Sequence, residues 1–177
     1  MVRLNKFLAQ AGIGSRRFVD KYIKSGEVLV NGSPVTSPGQ LIAPTHDNIL
    51  FRGNPVEYQD YATYIVLNKP SGFLTTARDE KGRKTVFNLI STPMRVFPVG
   101  RLDRDSEGIL LLTNDGELAN RLIHPRYKVE KQYLVYLNAR ADRELVKKFR
   151  HGVVIDRKFK VTADVRFPQP GDPRLCL

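Results

Sequence analysis

An aspartate and an arginine stand two positions apart in a glycine-bounded loop near the middle of the chain. The run Gly100-Arg101-Leu102-Asp103-Arg104 continues to Gly108 and then enters the apolar stretch Ile109-Leu110-Leu111-Leu112. A carboxylate in such a loop can act as a nucleophile or base, and a nearby guanidinium can hold it ionised or bind a phosphate. The same pattern also suits a solvated ion pair, which contributes little to stability. The residue types alone leave both interpretations open. We call residues 100–108 the aspartate loop.

The charge balance favours a polyanionic partner. The 177 residues include 29 Lys and Arg against 18 Asp and Glu, a formal net charge of +11. Neutralising phosphates releases counterions, so nucleic acid is the first partner class that this excess indicates. A basic membrane-surface protein is the competing class, but no apolar run approaches the roughly 18 to 20 residues of a spanning helix, and the start lacks a signal-peptide core. We expect a soluble, cytoplasmic protein that binds no membrane.

The sequence contains no residue pattern typical of a metal site or a nucleotide-binding site. Cys176 is the one cysteine, and His46, His124 and His151 are scattered without metal-ligand spacing. The sequence also contains no Walker-type or Gly-x-Gly-x-x-Gly phosphate loop and no Ser/His/Asp order with a supporting nucleophile elbow. We therefore expect no metal and no cofactor.

The N-terminal part predicts two helices and a hairpin. Apolar residues at Leu4, Phe7, Leu8 and Ala11 have helical spacing, and Gly12 should end that helix. Ser15 is a candidate N-cap for a second helix over 16–25, which Gly26 stops. Strand-like residues 28–30 then meet Asn31-Gly32, a strong hairpin signal, and 49–51 is another strand candidate. A linker is predicted at 57–62.

Polar residues of this part lie off the apolar stripes and can form one basic face. This set contains Arg3, Asn5, Lys6, Arg16, Arg17, Lys21 and Lys24. An ordinary solvated helix surface and a DNA-binding helix-turn-helix are the alternatives. The runs 3–8, Gly14-Ser15-Arg16-Arg17 and 28–32 resemble the S4 RNA-binding domain in order and residue type. The resemblance implies that the second helix, with Ser15 and the basic residues, meets structured RNA mainly at phosphate and sugar, and that DNA is not the partner.

The second part predicts an antiparallel sheet with helices. Residues 64–67 form a short apolar run typical of a buried strand, ended by Lys69-Pro70-Ser71-Gly72. A charged loop at 78–84 precedes a short helix candidate at 85–90, and Asp115-Gly116 is a turn signal before a helix that stops at Pro125. A further helix ends before Gly152. Apolar residues then alternate with polar ones from 158 to 167, which predicts a strand with one buried face.

The aspartate loop closely resembles the signature of the RsuA-like family of RNA pseudouridine synthases. In that family the aspartate matching Asp103 is essential, and Arg101 would help to hold the flipped-out nucleotide or its phosphate. Tyr133 lies on a predicted strand, in the run 129–135 that also contains the supporting residue Lys131. A lone tyrosine on a strand is more often a core residue, but by resemblance Tyr133 matches the family's active-site tyrosine, which stacks on uracil. Lys69 and Pro70 match a motif that supports the loop. By contrast, Asp105 and Glu107 are predicted to be structural.

The resemblance implies isomerisation of uridine to pseudouridine, which needs no cofactor. The base leaves the stack, the bond from N1 to C1′ breaks, and C5 is joined to C1′. The residues leave open whether Asp103 attacks C1′ or helps to deprotonate C2′.

We therefore predict an α+β protein with an S4-like RNA-binding domain at 1–58 and a catalytic domain at 63–177. The catalytic domain should have a mainly antiparallel mixed sheet flanked by helices.

Family members continue further and carry a later glycine- and arginine-rich motif, so we expect residues 171–177 to enter a strand that is cut off, and this chain to catalyse slowly. The alternative is a non-catalytic RNA-binding protein with a remnant synthase domain, which product formation distinguishes. The predicted partner is structured RNA, with ribosomal RNA favoured.

Overall fold

The computed structural model describes residues 1–57, 61–77, 79–138, 142–155 and 159–167. The chain divides into two compact units, Met1–Val129 and Glu130–Leu177. Helices and antiparallel strand pairs make up both units, as the predicted α+β class requires. None of the helices in the described part is long and apolar enough to cross a membrane.

Two short helices open the first unit. Strand β1 (Val2–Arg3) leads into helix α1 (Leu4–Gln10), and helix α2 (Arg16–Lys24) follows after a glycine turn with Gly12 at a φ of +86°. The Ser15 side chain accepts a hydrogen bond from the Phe18 N–H, so the predicted N-cap is confirmed. Asn5 Nδ2 donates to Asp20 Oδ1 at 2.9 Å and links the two helices.

Five short strands complete this part of the unit. They are β2 (Val28–Val30), β3 (Ser33–Pro34), β4 (Leu41–Ile42), β5 (Ile49–Phe51) and β6 (Asn54–Pro55). The sheet order is β3-β2-β5-β6, all antiparallel, and β4 pairs with β1. Asn31 and Gly32 both have positive φ, as a two-residue type I′ turn requires, which confirms the predicted hairpin. A first core forms where the helices meet these strands; it contains Leu4, Phe7, Leu8, Val19, Ile23, Val28, Val30, Val35, Ile42 and Ile49.

A three-stranded sheet carries the aspartate loop. Strand β7 (Tyr64–Lys69) pairs with β9 (Gly108–Thr113), which also pairs with β8 (Phe97–Pro98), all antiparallel. Helix α3 (Gly116–Ile123) follows Asp115, as the turn signal before a helix predicted. The Asp115 carboxylate accepts hydrogen bonds from two backbone N–H groups and caps this helix. A second core contains Val86, Val96, Leu110 and Leu112.

Two predictions for this part of the chain, one for strand β7 and one for a helix at 85–90, are corrected. Residues 64–67 were predicted to be a buried strand, but Val66 is 71% exposed. The pleat sends alternate side chains of β7 to opposite faces, and Ile65 and Leu67 are the ones that pack on the core. The helix predicted at 85–90 is a single 3₁₀ turn at Val86–Asn88, where Asn88 Oδ1 accepts from the Thr85 N–H and closes the turn.

The second unit contains helix α4 (Arg143–His151) and a hairpin of β10 (Val153–Ile155) and β11 (Phe159–Val161). Asp142 caps α4, and Gly152 follows its last turn with a positive φ. The long alternating strand predicted from 158 to 167 is wrong, because β11 has three residues and Phe159 is 66% exposed. A two-stranded hairpin covers little apolar surface by itself. Residue 158, part of the linker and residues 171–177 lie outside the described residues.

Candidate active site

The aspartate loop forms one wall of a cleft of about 310 Å³, near the lower end of small-molecule site volumes. Asp103 and Arg101, both predicted to be catalytic, line this cleft together. The full lining is Leu74, Thr75, Thr76, Asp79, Arg83, Arg101, Leu102, Asp103 and Arg104. Three arginines and two aspartates are therefore among the residues that line this cleft.

The Asp103 carboxylate is exposed and available. Within the described residues it accepts no hydrogen bond and forms no ion pair, while its backbone oxygen accepts from the Ser106 N–H at 3.2 Å. Arg101 is also exposed and has no ion-pair partner in the described chain. An ionised carboxylate with unused lone pairs can attack an electrophilic carbon or accept a proton from a substrate.

Lys69 lies beneath the aspartate loop and is completely buried. It ends strand β7, opposite Gly108 at the start of β9. Its Nζ donates to the carbonyl oxygens of Pro70 at 3.1 Å, Arg104 at 3.1 Å and Ser106 at 2.6 Å. An ammonium has three N–H donors, so these three acceptors match the protonated form. Lys69 thus holds two carbonyls of the loop that carries Asp103.

Two opposing effects act on the pKa of Lys69. Burial lowers the pKa of Lys69 below its ordinary range, because the charged form loses water, while the carboxylates of Asp105, Glu107 and Asp103 raise it again. Three carbonyl dipoles and three nearby negative charges compensate the buried ammonium. Contributions of Lys69 and Pro70 to catalysis stay predictions.

Further contacts fix the same loop. Thr75 Oγ1 donates to the Leu102 carbonyl at 2.7 Å and accepts from the Leu102 N–H at 3.3 Å, directly before Asp103. Glu107 Oε1 accepts from the Ser71 N–H at 3.3 Å. Asp105 instead forms an exposed ion pair with Arg104, at 2.9 Å. The sequence gives no periodic signal for Thr75, so its position beside the loop was not predicted.

An ion pair on the opposite side of the cleft was also missed. Arg83 Nη2 donates to Asp79 Oδ1 at 2.7 Å. The sequence signal for this ion pair is the spacing of four residues between Asp79 and Arg83 in a charged segment that contains a glycine. The Arg83 guanidinium, followed by the Arg83 and Lys81 backbone N–H groups, lowers the pKa of Asp79 to about 2.

Tyr133 and Lys131 belong to the second unit, and both are exposed there. The sequence placed Tyr133 on a strand, but residues 131–137 have no regular secondary structure, and Tyr133 is 64% exposed. The strand prediction is wrong, because residues 131–137 pair with no strand among the described residues. Stacking of Tyr133 on uracil stays a prediction.

The basic residues of the N-terminal part lie mainly on α2. Arg17, Lys21 and Lys24 follow one another at helical spacing, while Val19 and Ile23 face the core. Arg3, Lys6 and Arg16 complete the set. No ion pair joins any of these cations to a carboxylate within the described residues. Asn5 and Ser15 differ from them, because both side chains already have partners inside the protein.

Comparison with known families matches both parts of the chain. Residues 2–48 match the S4 domain, and residues 63–171 match the family described as RNA pseudouridylate synthase.

Individual relatives agree with these matches. A protein of Aquifex aeolicus named "Uncharacterized RNA pseudouridine synthase" is 47% identical over 167 residues, which cover 93% of this chain and 67% of the relative. "Ribosomal large subunit pseudouridine synthase B" of Bacillus subtilis is 42% identical over 157 residues, covering 88% and 64%. The chain thus spans about two thirds of the length of these relatives. A solved structure, "Crystal structure of pseudouridylate synthase", is similar with a TM-score of 0.57 at 28% identity and covers 92% of this chain and 70% of that one.

The ion pair of Asp79 generates a pH prediction. Because the pKa of this carboxyl is lowered from 3.8 to about 2, its stabilising contribution should be complete above pH 3.8 and be lost as the pH falls through about 2. Carboxyl ¹³C NMR should give an Asp79 midpoint near 2. In Arg83→Gln the midpoint should move toward 3.8 without reaching it, since two backbone donors remain. Arg121→Gln, which breaks an exposed ion pair with Glu117 on α3, is the control and should not move it. A wild-type midpoint at 3.8 would contradict the geometry.

Proposed function

The chain belongs to the RNA pseudouridylate synthase family, and from that membership we propose that it isomerises a uridine of structured RNA to pseudouridine, with Asp103 as the reacting carboxylate. The observation that carries this proposal is the position of Asp103. Its carboxylate is exposed and unpaired within the described residues, in a cleft that also contains three arginines.

The reaction balances without a redox partner. The bond from N1 to C1′ breaks, a bond from C5 to C1′ forms, the hydrogen on C5 leaves to solvent, and N1 gains a proton. Asp103 supplies the negative charge that this exchange needs, either by bonding to C1′ while the base is detached or by removing a proton from C2′. Arg101 binds the substrate's phosphate or orients the detached nucleotide.

The N-terminal residues 1–58 bind the RNA, and residues 63–177 carry the catalytic groups. The match to the S4 domain and the separate core of the first helices and strands support this division. Arg3, Lys6, Arg16, Arg17, Lys21 and Lys24 supply the phosphate contacts, because they carry charges that have no ion-pair partner in the described chain. Since the Bacillus subtilis relative is named for the large ribosomal subunit, ribosomal RNA is the proposed substrate.

The role of Asp103 is tested with Asp103→Asn. The substitution keeps the size of the side chain and removes its charge, so RNA affinity should persist while turnover falls to background. Bonding C5 to the sugar releases the hydrogen of C5, and RNA labelled with [5-³H]uridine therefore reports turnover as tritiated water.

Asp105→Asn is the matched control, because Asp105 lies in the same loop and pairs only with exposed Arg104 among the described residues. It should retain tritium release. Release by Asp103→Asn at the wild-type rate would exclude Asp103 as the reacting group. RNA binding without release by the wild-type chain would favour a non-catalytic RNA-binding protein.

The basic residues at the start of α2 are tested by reversing two charges, Arg16→Glu and Arg17→Glu, in one variant. Each lost phosphate contact should reduce the slope of log affinity against log salt by about 0.7 to 0.9. Arg143→Glu with Lys147→Glu on α4 changes the net charge equally and is the control. Equal slopes for the wild type and the Arg16/Arg17 variant in filter-binding titrations would remove these residues from the RNA interface.

A further inference from the structure

The second wall of the cleft is a closed loop, residues 79–84, which we call the Asp79 loop. Its base is held by two backbone hydrogen bonds: the Leu74 N–H donates to the Lys84 carbonyl at 3.0 Å, and the Val86 N–H donates to the Leu74 carbonyl at 2.9 Å. Thr75, next to Leu74, bonds twice to Leu102 of the aspartate loop. Both walls of the cleft are therefore connected close to Asp103.

Asp79 organises this loop from within. Its side chain is only 8% exposed. One oxygen accepts from the Lys81 N–H at 3.1 Å and the Arg83 N–H at 2.8 Å, and the other accepts from the Arg83 guanidinium. A carboxylate used in this way converts a polar, glycine-containing segment into one conformation.

Arg83 is restrained by Asp79 but remains accessible. Asp79 accepts from Nε and Nη2 of Arg83, whereas a guanidinium has five N–H donors. The Arg83 side chain is 52% exposed and lines the cleft. The facing groups on the aspartate loop are Arg101, Asp103 and Arg104, the last of which is paired with Asp105. Arg83 thus lines the cleft with a guanidinium that Asp79 restrains and that keeps N–H donors unused within the described residues.

We propose that Arg83 binds a backbone phosphate of the RNA beside the flipped uridine, and that Asp79 is the positioning residue that holds its guanidinium for this contact. The proposal rests on the proposed function, since it assumes that RNA enters this cleft. A nucleotide that leaves its stack brings its two flanking phosphates to the rim of the pocket that receives it. A planar guanidinium matches phosphate oxygens, and one that is already immobilised loses less conformational freedom on binding.

The salt dependence of RNA binding tests the Arg83 contact. The probe is a fluorescein-labelled RNA stem-loop with an oligouridine loop, titrated with the full chain at several salt concentrations. Arg83→Gln should lower the slope of log affinity against log salt by about 0.7, the value for one phosphate of a single strand. Arg83→Lys keeps the charge and should keep the slope. Arg83→Gln leaves the Asp79 carboxylate without its ion-pair partner, and this charge could itself change the slope. The double variant Asp79→Asn with Arg83→Gln removes the charge, and it should show the same lower slope as Arg83→Gln.

Arg121→Gln is the matched control, because Arg121 and Glu117 have the same spacing of four residues and the same 2.7 Å contact on α3. It should bind like the wild type. An unchanged salt slope in Arg83→Gln overturns the proposal. The proposal is also overturned if Arg83→Lys lowers the slope as much as Arg83→Gln does, because the charge is then not what matters and Arg83 has a structural role. If the wild type fails to bind RNA, both this proposal and the proposed function fail. A wild type that binds RNA without releasing tritium overturns the proposed function only, and the slopes still decide on Arg83.

Asp79→Asn tests the positioning role separately. Removing a negative charge beside RNA should tighten binding if the Asp79 charge acts only by repulsion. If Asp79 holds Arg83 in place, RNA binding by Asp79→Asn should instead weaken by about two- to tenfold, because the freed Arg83 side chain must then be immobilised on binding. The salt slope should stay unchanged, since Arg83 keeps its charge. Tighter binding by Asp79→Asn overturns the positioning role.

Discussion

A buried ammonium holds the loop on which the proposed chemistry depends. Lys69 places its charge where water is excluded, which is unfavourable unless every N–H donor has an acceptor. The acceptors are carbonyls of Pro70, Arg104 and Ser106, and the last two belong to the aspartate loop. The Gly72 N–H also donates to the Arg104 carbonyl, at 2.8 Å. A loop without regular secondary structure thereby gains a defined backbone path on both sides of Asp103.

The two carboxylates that line the cleft, those of Asp79 and Asp103, differ in their hydrogen-bond partners. Asp79 accepts from its own loop; outside the cleft lining, Glu107 accepts from Ser71 and Asp115 accepts from the first turn of α3. Asp103 accepts no hydrogen bond from a described residue. Groups with several donors lose the capacity to react, whereas a carboxylate held only through its backbone retains it. This contrast, together with membership of the pseudouridylate synthase family, makes Asp103 the proposed reacting group.

The sequence predicted local features well where one residue type determines the backbone. The Ser15 cap, the Asn31-Gly32 turn and the start of a helix after Asp115-Gly116 depend on chemistry within a few residues, and all three are confirmed. Contacts between distant segments were not predictable from spacing. Thr75 meets Leu102 only because the sheet brings two loops together, and Lys69 reaches Ser106 because β7 pairs with β9. The strand predicted at 158–167 was wrong because alternation alone cannot show whether a covering partner exists.

We infer that the Lys69 ammonium maintains the conformation of the aspartate loop. Amide hydrogen exchange of Lys69→Met against the wild type tests it most directly, because methionine is unbranched and similar in length but cannot donate to the three carbonyls. Protection should be lost at Gly72 and Ser106, whose N–H groups donate to Arg104 and Asp103. Protection at Phe18 and Val19 in α2 should be retained and would show that the N-terminal core is folded. Unchanged protection at Gly72 and Ser106 would contradict the claim.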